Sequence, residues 1–269
     1  KTHAKTILVV REEPDGIRTY CHIGTGNYHA TTARLYTDLG LFTASSDYTE
    51  ELAHFFNYLT GRSAKTDYQT LLVAPINMRE RFYKMIKREI EHQQAGRPAH
   101  IVAKVNSLSD EGICEALYRA SEKGVPVELI VRGLCCLRAQ QPGLSDNIRV
   151  TSVVGRLLEH SRIFYFRNGA DSPLDGEFYL GSADWMKRNL DHRVEIAAPI
   201  KTTLLREKCW EILDIIRHDE TQAWDMQSDG SYRRRCGGNL SLGTHEFLMQ
   251  KTKKNTRSGQ RRKAKPPED

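Results

Sequence analysis

The sequence predicts an α/β fold in which a mixed sheet is flanked by helices, and three observations support this prediction. Short apolar runs alternate with amphipathic helical segments between residues 71 and 217. Two of the helical patterns stop at a glycine, Gly61 and Gly124, as helices commonly do. Two stretches of the chain also share one order of chemical groups, which predicts a pseudo-twofold repeat whose first copy is truncated.

Residues 1–66 contain three predicted elements. Residues 6–10 and 18–23 alternate as strands do, and the turn sequence Pro14-Asp15-Gly16 between them predicts a hairpin. Apolar residues at helical spacing follow in residues 48–59. The polar stretch after Gly61 predicts a domain boundary near residue 66.

Residues 67–228 are predicted to form a second domain in which strands and helices alternate. Its helices are capped by polar residues and its strands are short and apolar, a pattern typical of a mostly parallel or mixed sheet. We predict strands at residues 71–74, 101–105, 127–131, 148–154, 163–166, 177–180 and 194–198, and helices at residues 78–94, 110–123 and 202–217.

Residues 229–269 carry the basic charge of the protein. They contain eleven Lys and Arg against four Asp and Glu, while the whole chain has a net charge of +6, so the rest is close to neutral. We predict a polar, largely disordered tail. The six cysteines show no metal-ligand spacing, no metal ligands are predicted, and no apolar run reaches the ~18 residues of a membrane span.

The repeat brings together the residues with the strongest chemical interest. His3-Ala-Lys5 is followed, 21 residues after the histidine, by Gly24-Thr-Gly-Asn-Tyr28. His160-Ser-Arg162 is followed at the same distance by Gly181-Ser-Ala-Asp-Trp185. On a strand, residues i and i+2 point to one face, so each histidine projects beside its cation.

Two such faces brought together would surround a small volume with two imidazoles and two cations. This arrangement predicts a phosphate site that holds a nucleophile and an acid. The glycine motifs would add donors, so we expect Asn27 and Ser182 beside the phosphate with Lys5 and Arg162. An imidazole, with a pKa near 6.5, is mostly neutral and nucleophilic at neutral pH.

The motifs together resemble those of the bacterial polyphosphate kinases, a branch of the phospholipase D-like superfamily. The superfamily's stricter pattern has an Asp five residues after the lysine, where this chain has Val10 and Arg167, and lysine where it has Arg162. The resemblance extends to about residue 235 and rests on Lys1-Thr-His-Ala-Lys5, His22-Ile-Gly-Thr-Gly-Asn-Tyr28, Thr32-Ala-Arg-Leu-Tyr-Thr-Asp-Leu-Gly40, Val131-Arg-Gly133, Glu159-His-Ser-Arg162, Gly181-Ser-Ala-Asp-Trp185 and Asn189-Leu-Asp-His-Arg-Val-Glu195.

The resemblance implies a reversible transfer of the terminal phosphate of ATP to inorganic polyphosphate through a phosphohistidine. It implies that His3 is phosphorylated and that Tyr36 stacks on adenine. It places Arg132 and the second catalytic histidine, His160, near the nucleotide phosphates. The ligands of Mg²⁺ would lie outside these residues.

The resemblance also implies that residues 1–66 are the end of a first catalytic domain and that 67–228 form the second. We therefore expect this fragment to be weakly active or inactive alone, and the full-length protein to be a homo-oligomer in the cytoplasm, with peripheral membrane association left open. Two alternatives remain at this point. One is a phospholipase D-like phosphodiesterase or nuclease, and the other is a non-catalytic module whose basic tail binds anions or nucleic acid.

Overall fold

The computed structural model describes residues 1–64, 66–236 and 242–263. Its helices are α1 Ala30–Ala33, α2 Ser46–Leu59, α3 Met78–Gln94, α4 Glu111–Glu122, α5 Thr203–Arg217 and α6 Thr244–Lys263. Its strands are β1 Lys5–Glu13, β2 Gly16–Gly24, β3 Tyr36–Thr37, β4 Gly40–Thr43, β5 Leu72–Ala74, β6 Ile101–Val105, β7 Val127–Val131, β8 Ile148–Val153, β9 Leu158–Glu159, β10 Ile163–Phe166, β11 Glu177–Gly181, β12 Glu195–Pro199, β13 Ala223–Met226 and β14 Tyr232–Arg234.

A mixed nine-stranded sheet forms the centre, in the order β14-β13-β8-β7-β6-β10-β11-β12-β5. Strands β6, β7 and β8 run parallel, and the other pairings are antiparallel. Helices α3 and α4 bury residues such as Phe82 and Leu117 against one face. Helices α2 and α5 bury residues such as Leu52 and Leu213 on the other face. The prediction of a mixed sheet flanked by helices is confirmed.

A smaller sheet, β1-β2-β4, repeats part of the large one. Its three antiparallel strands match β10-β11-β12 in order. Gly24 of β2 faces Gly40 of β4, 16 residues on, and Gly181 of β11 faces Ala197 of β12 at the same spacing. The repeat seen in the sequence is therefore also a repeat of strand pairing. The small sheet packs on the α2 and α5 face through Cys21, Ile23 and Leu41.

The elements predicted between residues 6 and 217 are all present, with ends that differ by a few residues. Five of the described strands were not predicted: β3, β4, β9, β13 and β14. Strands β3 and β9 have two residues each, which is too short for a periodic signal, and they pair in parallel with each other. None of the helices in the described residues is long and apolar enough to cross a membrane.

The prediction of a largely disordered tail from residue 229 is wrong for the described residues. Strand β14 pairs with β13, and helix α6 follows. The cause is a buried polar anchor at the start of α6, where the Asp219 carboxylate accepts from Thr244 N at 2.6 Å and from its hydroxyl at 2.5 Å. An ion pair between Lys251 and Glu211 attaches α6 to α5.

Candidate active site

His3 lies just before β1 and is held against the start of β12. Its N–H and that of Ala4 both donate to the Val194 carbonyl, at 2.8 and 2.9 Å. The His3 Nδ1 atom lies 2.8 Å from Glu195 Oε2. Because a carboxylate only accepts, Nδ1 carries the ring proton in this contact, and the neutral ring keeps its lone pair on Nε2. This is the tautomer that a nucleophile at Nε2 requires.

Glu195 is completely buried and is held by two further donors. The Ser182 hydroxyl donates to Glu195 Oε2 at 2.5 Å, and the Asn189 amide donates to Oε1 at 2.6 Å. The Ser182 hydroxyl also accepts from Ile196 N at 3.2 Å. Ser182 therefore orients a carboxylate, and the phosphate contact expected from its motif stays a prediction.

His160 has the matching environment on the other side of the repeat. Its Nδ1 lies 2.7 Å from Asp38 Oδ1, and that oxygen also accepts from the Thr25 hydroxyl at 2.8 Å. Each histidine therefore pairs with a carboxylate from the opposite half. Each carboxylate is in turn held by the hydroxyl residue of its own glycine motif. These two contacts between the halves of the repeat fix the halves relative to each other at the site.

Asp38 and Glu195 were missed as site residues in the sequence. Each lies 13 residues after the hydroxyl residue that binds it, Thr25 or Ser182. Each also lies 35 residues after the histidine of its own copy. This spacing was an available signal, although the two residues differ in type and stand among other acids.

Arg162 occupies the centre of the site and is almost fully buried. Its guanidinium donates to both carboxylate oxygens of Asp184, each at 3.1 Å, and to the Thr25 carbonyl at 3.3 Å. It also lies 3.1 Å from His160 Nε2. Because the guanidinium has only donors, Nε2 accepts, so His160 is neutral in this contact.

Three cations converge around this point. Burial lowers the pKa of Lys5 to about 8, and repulsion from Arg162 adds to the shift against the attraction of Glu195. Burial and the Arg162 charge also lower the pKa of Arg132, and burial with Arg162 lowers that of His160 despite the bond to Asp38. Positive groups that repel one another in a buried site gain stability when an anion binds between them.

Tyr36 and Arg132 both border the site. The Tyr36 and His160 ring centroids are 4.5 Å apart with a tilt of 37°. Tyr36 lines a cavity of about 530 Å³ between the β3–β9 pair, α5 and α6. Arg132, at the carboxyl end of β7 as predicted, lines a second cavity of about 270 Å³. Of the eight predicted site residues, Asn27 is exposed, and the other seven are buried or partly buried.

The carboxylates of the site fit Mg²⁺ poorly. Asp38, Asp184 and Glu195 each accept from histidine, arginine or polar side chains, as described above. In the part of the chain that the structure describes, no group of three or more His, Cys, Asp or Glu side chains is placed to hold a metal ion.

Comparison with known proteins identifies the region. The family model for "Polyphosphate kinase C-terminal domain 1" matches residues 1–65, and that for "Polyphosphate kinase C-terminal domain 2" matches residues 71–241. The chain is 52% identical to a polyphosphate kinase of Thermosynechococcus vestitus over 256 residues, 94% of this chain and 34% of the relative. It is 50% identical to a polyphosphate kinase of Pseudomonas aeruginosa over 253 residues, 93% of this chain and 36% of the relative.

A solved structure gives the same result. The crystal structure of the polyphosphate kinase from Porphyromonas gingivalis matches with a TM-score of 0.88 at 37% identity, over 96% of this chain and 40% of that one. The chain thus spans about a third of the length of the curated relatives it matches.

Proposed function

The chain belongs to the polyphosphate kinase family, and we propose that it carries the phosphohistidine site of an enzyme that transfers the terminal phosphate of ATP to inorganic polyphosphate, reversibly. One observation carries the proposal. Two histidine–carboxylate pairs, His3–Glu195 and His160–Asp38, border a buried group of mutually repelling cations. Such a site offers a nucleophile and a strong affinity for phosphate in one place.

In the first half-reaction, His3 Nε2 attacks the terminal phosphorus of ATP. The N–P bond forms as the P–O bond to ADP breaks, and the electron pair of that bond leaves with ADP. The ring becomes cationic because Nδ1 keeps its proton. Glu195, buried 2.8 Å from Nδ1, offsets this new charge. In the second half-reaction, a terminal oxygen of polyphosphate attacks the phosphorus and restores neutral His3.

The two motif cations act on the phosphoryl group in transfer. Lys5 and Arg162 offset charge on its equatorial oxygens, where a loose transition state carries most of its negative charge. His160 offers only Nε2 to a substrate, because Asp38 holds Nδ1. When phosphate takes the Arg162 guanidinium, Nε2 is released to face the leaving oxygen of ADP and to hold a proton there.

The nucleotide is assigned to the same side of the site as His160. Tyr36 offers an aromatic face to the adenine ring, and its cavity of about 530 Å³ supports this role. Arg132 binds the nucleotide phosphates from the end of β7, where ligands of α/β sheets commonly bind. We place the ligands of Mg²⁺ outside these 269 residues. We further propose that the full-length protein is a cytoplasmic homo-oligomer.

The test uses ATP labelled on its terminal phosphate and the full-length gene product, because the relatives are about three times as long as this chain. We expect acid-labile, alkali-stable label on the protein, which ADP or polyphosphate then removes. His160→Ala should keep the fold and lose turnover. Label that is never bound by protein while phosphodiesters are hydrolysed would instead support the nuclease alternative.

A further inference from the structure

His245, in the first turn of α6, is buried next to the site although it lies in the basic part of the sequence. Its side chain is completely enclosed. The Leu157 N–H lies 3.3 Å from His245 Nδ1, and His245 Nε2 lies 2.7 Å from Glu159 Oε1. Because a backbone N–H can only donate, Nδ1 accepts and Nε2 carries the proton that is given to Glu159. A neutral imidazole with both nitrogens bonded is held in one orientation.

Glu159 is the junction of a buried network. Besides His245, its carboxylate receives the Lys104 ammonium at 2.8 Å and the Thr37 hydroxyl at 3.0 Å. Burial by itself would raise the pKa of Glu159, but Lys104 and His245 lower it to about 2. The carboxylate is therefore ionised, and Lys104 balances its charge. We call Lys104, Glu159, His245 and Thr37 the β9 network.

Two members of the β9 network, Glu159 and Thr37, are adjacent in sequence to residues that we propose contact the nucleotide. Glu159 directly precedes His160, and Lys104 also donates to the Ser161 carbonyl at 3.0 Å and to its hydroxyl at 2.8 Å. The residue between Tyr36 and Asp38 is Thr37, whose hydroxyl lies 3.2 Å from His160 N. The network thus fixes the backbone on both sides of His160 and between Tyr36 and Asp38.

We propose that His245 is a positioning residue for phosphotransfer, through which the C-terminal helix sets the geometry of His160 and Tyr36. This inference rests on the proposed function. His245 lines the cavity of about 530 Å³ beside Tyr36, but both of its ring nitrogens are bonded within the protein and neither is free to bind a substrate. It acts by holding Glu159, which holds the two-residue pairing of β3 with β9. Short parallel pairings have few hydrogen bonds of their own, so side-chain bonds decide their register.

The other contacts that attach α6 do not include members of the β9 network. A role of His245 in positioning the site can therefore be distinguished from a role in attaching the helix. Asp219 binds Thr244 at the start of the helix, and Lys251 binds Glu211 of α5. Gly155 supplies an independent approach to His245, because a Cβ at this position would lie 2.4 Å from Gln222 Nε2 and 2.5 Å from His245 Nδ1, so both side chains would have to move. Gly155→Ala would displace the imidazole without changing a single functional group.

The experiment compares His245→Phe, which loses both hydrogen bonds, with His245→Gln, whose amide keeps a donor for Glu159. Lys251→Met is the matched control, because it loosens α6 without touching the network. In the full-length protein we measure the rate of phosphoenzyme formation and the ATP concentration that gives half the maximal rate. In this chain, ¹⁵N NMR of the imidazoles reports the tautomer and the pKa of His160.

We expect His245→Phe and Gly155→Ala to lower the rate of phosphoenzyme formation by roughly tenfold, the lower limit for losing one hydrogen bond to a charged group, and to shift the His160 ring signals. His245→Gln should recover most of the rate, and Lys251→Met should change it by less than about twofold. The proposal is overturned if His245→Phe lowers only the melting temperature, or if glutamine gives no recovery.

Failure of this proposal can be told apart from failure of the proposed function. If the wild-type protein forms no phosphoenzyme, the proposed function is wrong, and the NMR signals of His160 then decide the positioning claim alone. His160 signals that are unchanged in His245→Phe would show that α6 does not reach the site.

Discussion

Replacing Glu195 with glutamine tests whether His3 is the nucleophile, because Glu195 contacts the His3 ring directly. The substitution keeps the shape of the side chain but removes its charge. It also replaces one of the two carboxylate oxygens with an NH₂ group, which cannot accept the hydrogen bond made there. In the wild type, Glu195 accepts from His3 at 2.8 Å, Ser182 at 2.5 Å and Asn189 at 2.6 Å. The glutamine can accept at only one of its two terminal atoms. At least one of these donors therefore loses its partner in a buried site.

The magnitude follows from the charge-assisted bond to His3. Such a bond contributes about 1.5–3 kcal/mol, and it is needed most when the ring becomes cationic on phosphorylation. We therefore expect Glu195→Gln to slow phosphoenzyme formation by roughly 10- to 150-fold. Rapid-quench measurements with labelled ATP in the full-length protein give this rate directly.

Glu177→Gln is the matched control, because it makes the same chemical change at a carboxylate that pairs with Arg88 away from the site. We expect a rate within about twofold of wild type for this control, as is usual for partly exposed ion pairs. A Glu195→Gln enzyme that phosphorylates as fast as the control would refute the role of Glu195, and with it the assignment of the reactive tautomer.

Three further outcomes follow from the same contacts. The affinity for ATP should fall as pH rises through about 8, because Lys5 of the free protein loses its proton there. In a binding titration, Lys5→Arg should remove this fall, since arginine stays charged. The same fall in Lys5→Arg would contradict this role of Lys5. Gly26→Ala places a Cβ 2.3 Å from the Asp38 carboxylate, so it should lower turnover while circular dichroism stays unchanged, and normal turnover would count against the His160–Asp38 pair. The folded-state pKa of Glu159, about 2, lies below its ordinary value of 4.5, so its contribution of about 3 kcal/mol is present above pH 4.5 and lost as pH falls toward 2. Glu159→Gln should therefore unfold more easily at pH 7 and converge with wild type in acid during urea titrations, and parallel curves would contradict this.

The histidines and cations of the site could be predicted from the sequence because they recur at equal spacing. In the structure His3 directly precedes β1, which begins at Lys5, and His160 and Arg162 lie in the link between β9 and β10. The strands next to these pairs, β1 and β10, are long or apolar enough to be recognised, and β10 was predicted with its observed ends, as were β6 and β7. Local periodicity was sufficient for these parts.

Which histidine each carboxylate binds required tertiary information, although the repeated spacing marked both carboxylates in the sequence. Glu195 binds His3 across 192 residues, and Asp38 binds His160 across 122 residues, so neither contact has a local signal. Ser182 was recognised as a candidate phosphate ligand, but its bond to Glu195 and the bond of Thr25 to Asp38 were not predicted. A phosphate and a carboxylate both accept a hydrogen bond from a hydroxyl group, so only the fold shows which of them is the partner.

Helix α6 could not be predicted because composition concealed it. The basic residues after 250 favour a solvated tail, and they outweigh the few apolar residues near the start of the helix. The deciding contacts are the buried bonds of Thr244 to Asp219 and of His245 to Glu159, which are single polar pairs. Single pairs leave no periodic pattern in a sequence.

The most direct test of the central claim is to locate the phosphate on the protein. The full-length protein, labelled with ¹⁵N-histidine, is incubated with ATP and examined by ³¹P and ¹⁵N NMR, and its phosphopeptides are mapped at alkaline pH. We expect one phosphorylated ring, that of His3, with the phosphorus on Nε2 and with Nδ1 still protonated and donating to Glu195, and no phosphorylated ring in His3→Ala. Phosphate on His160, or on Nδ1 of His3, would contradict the assignment of nucleophile and tautomer made here.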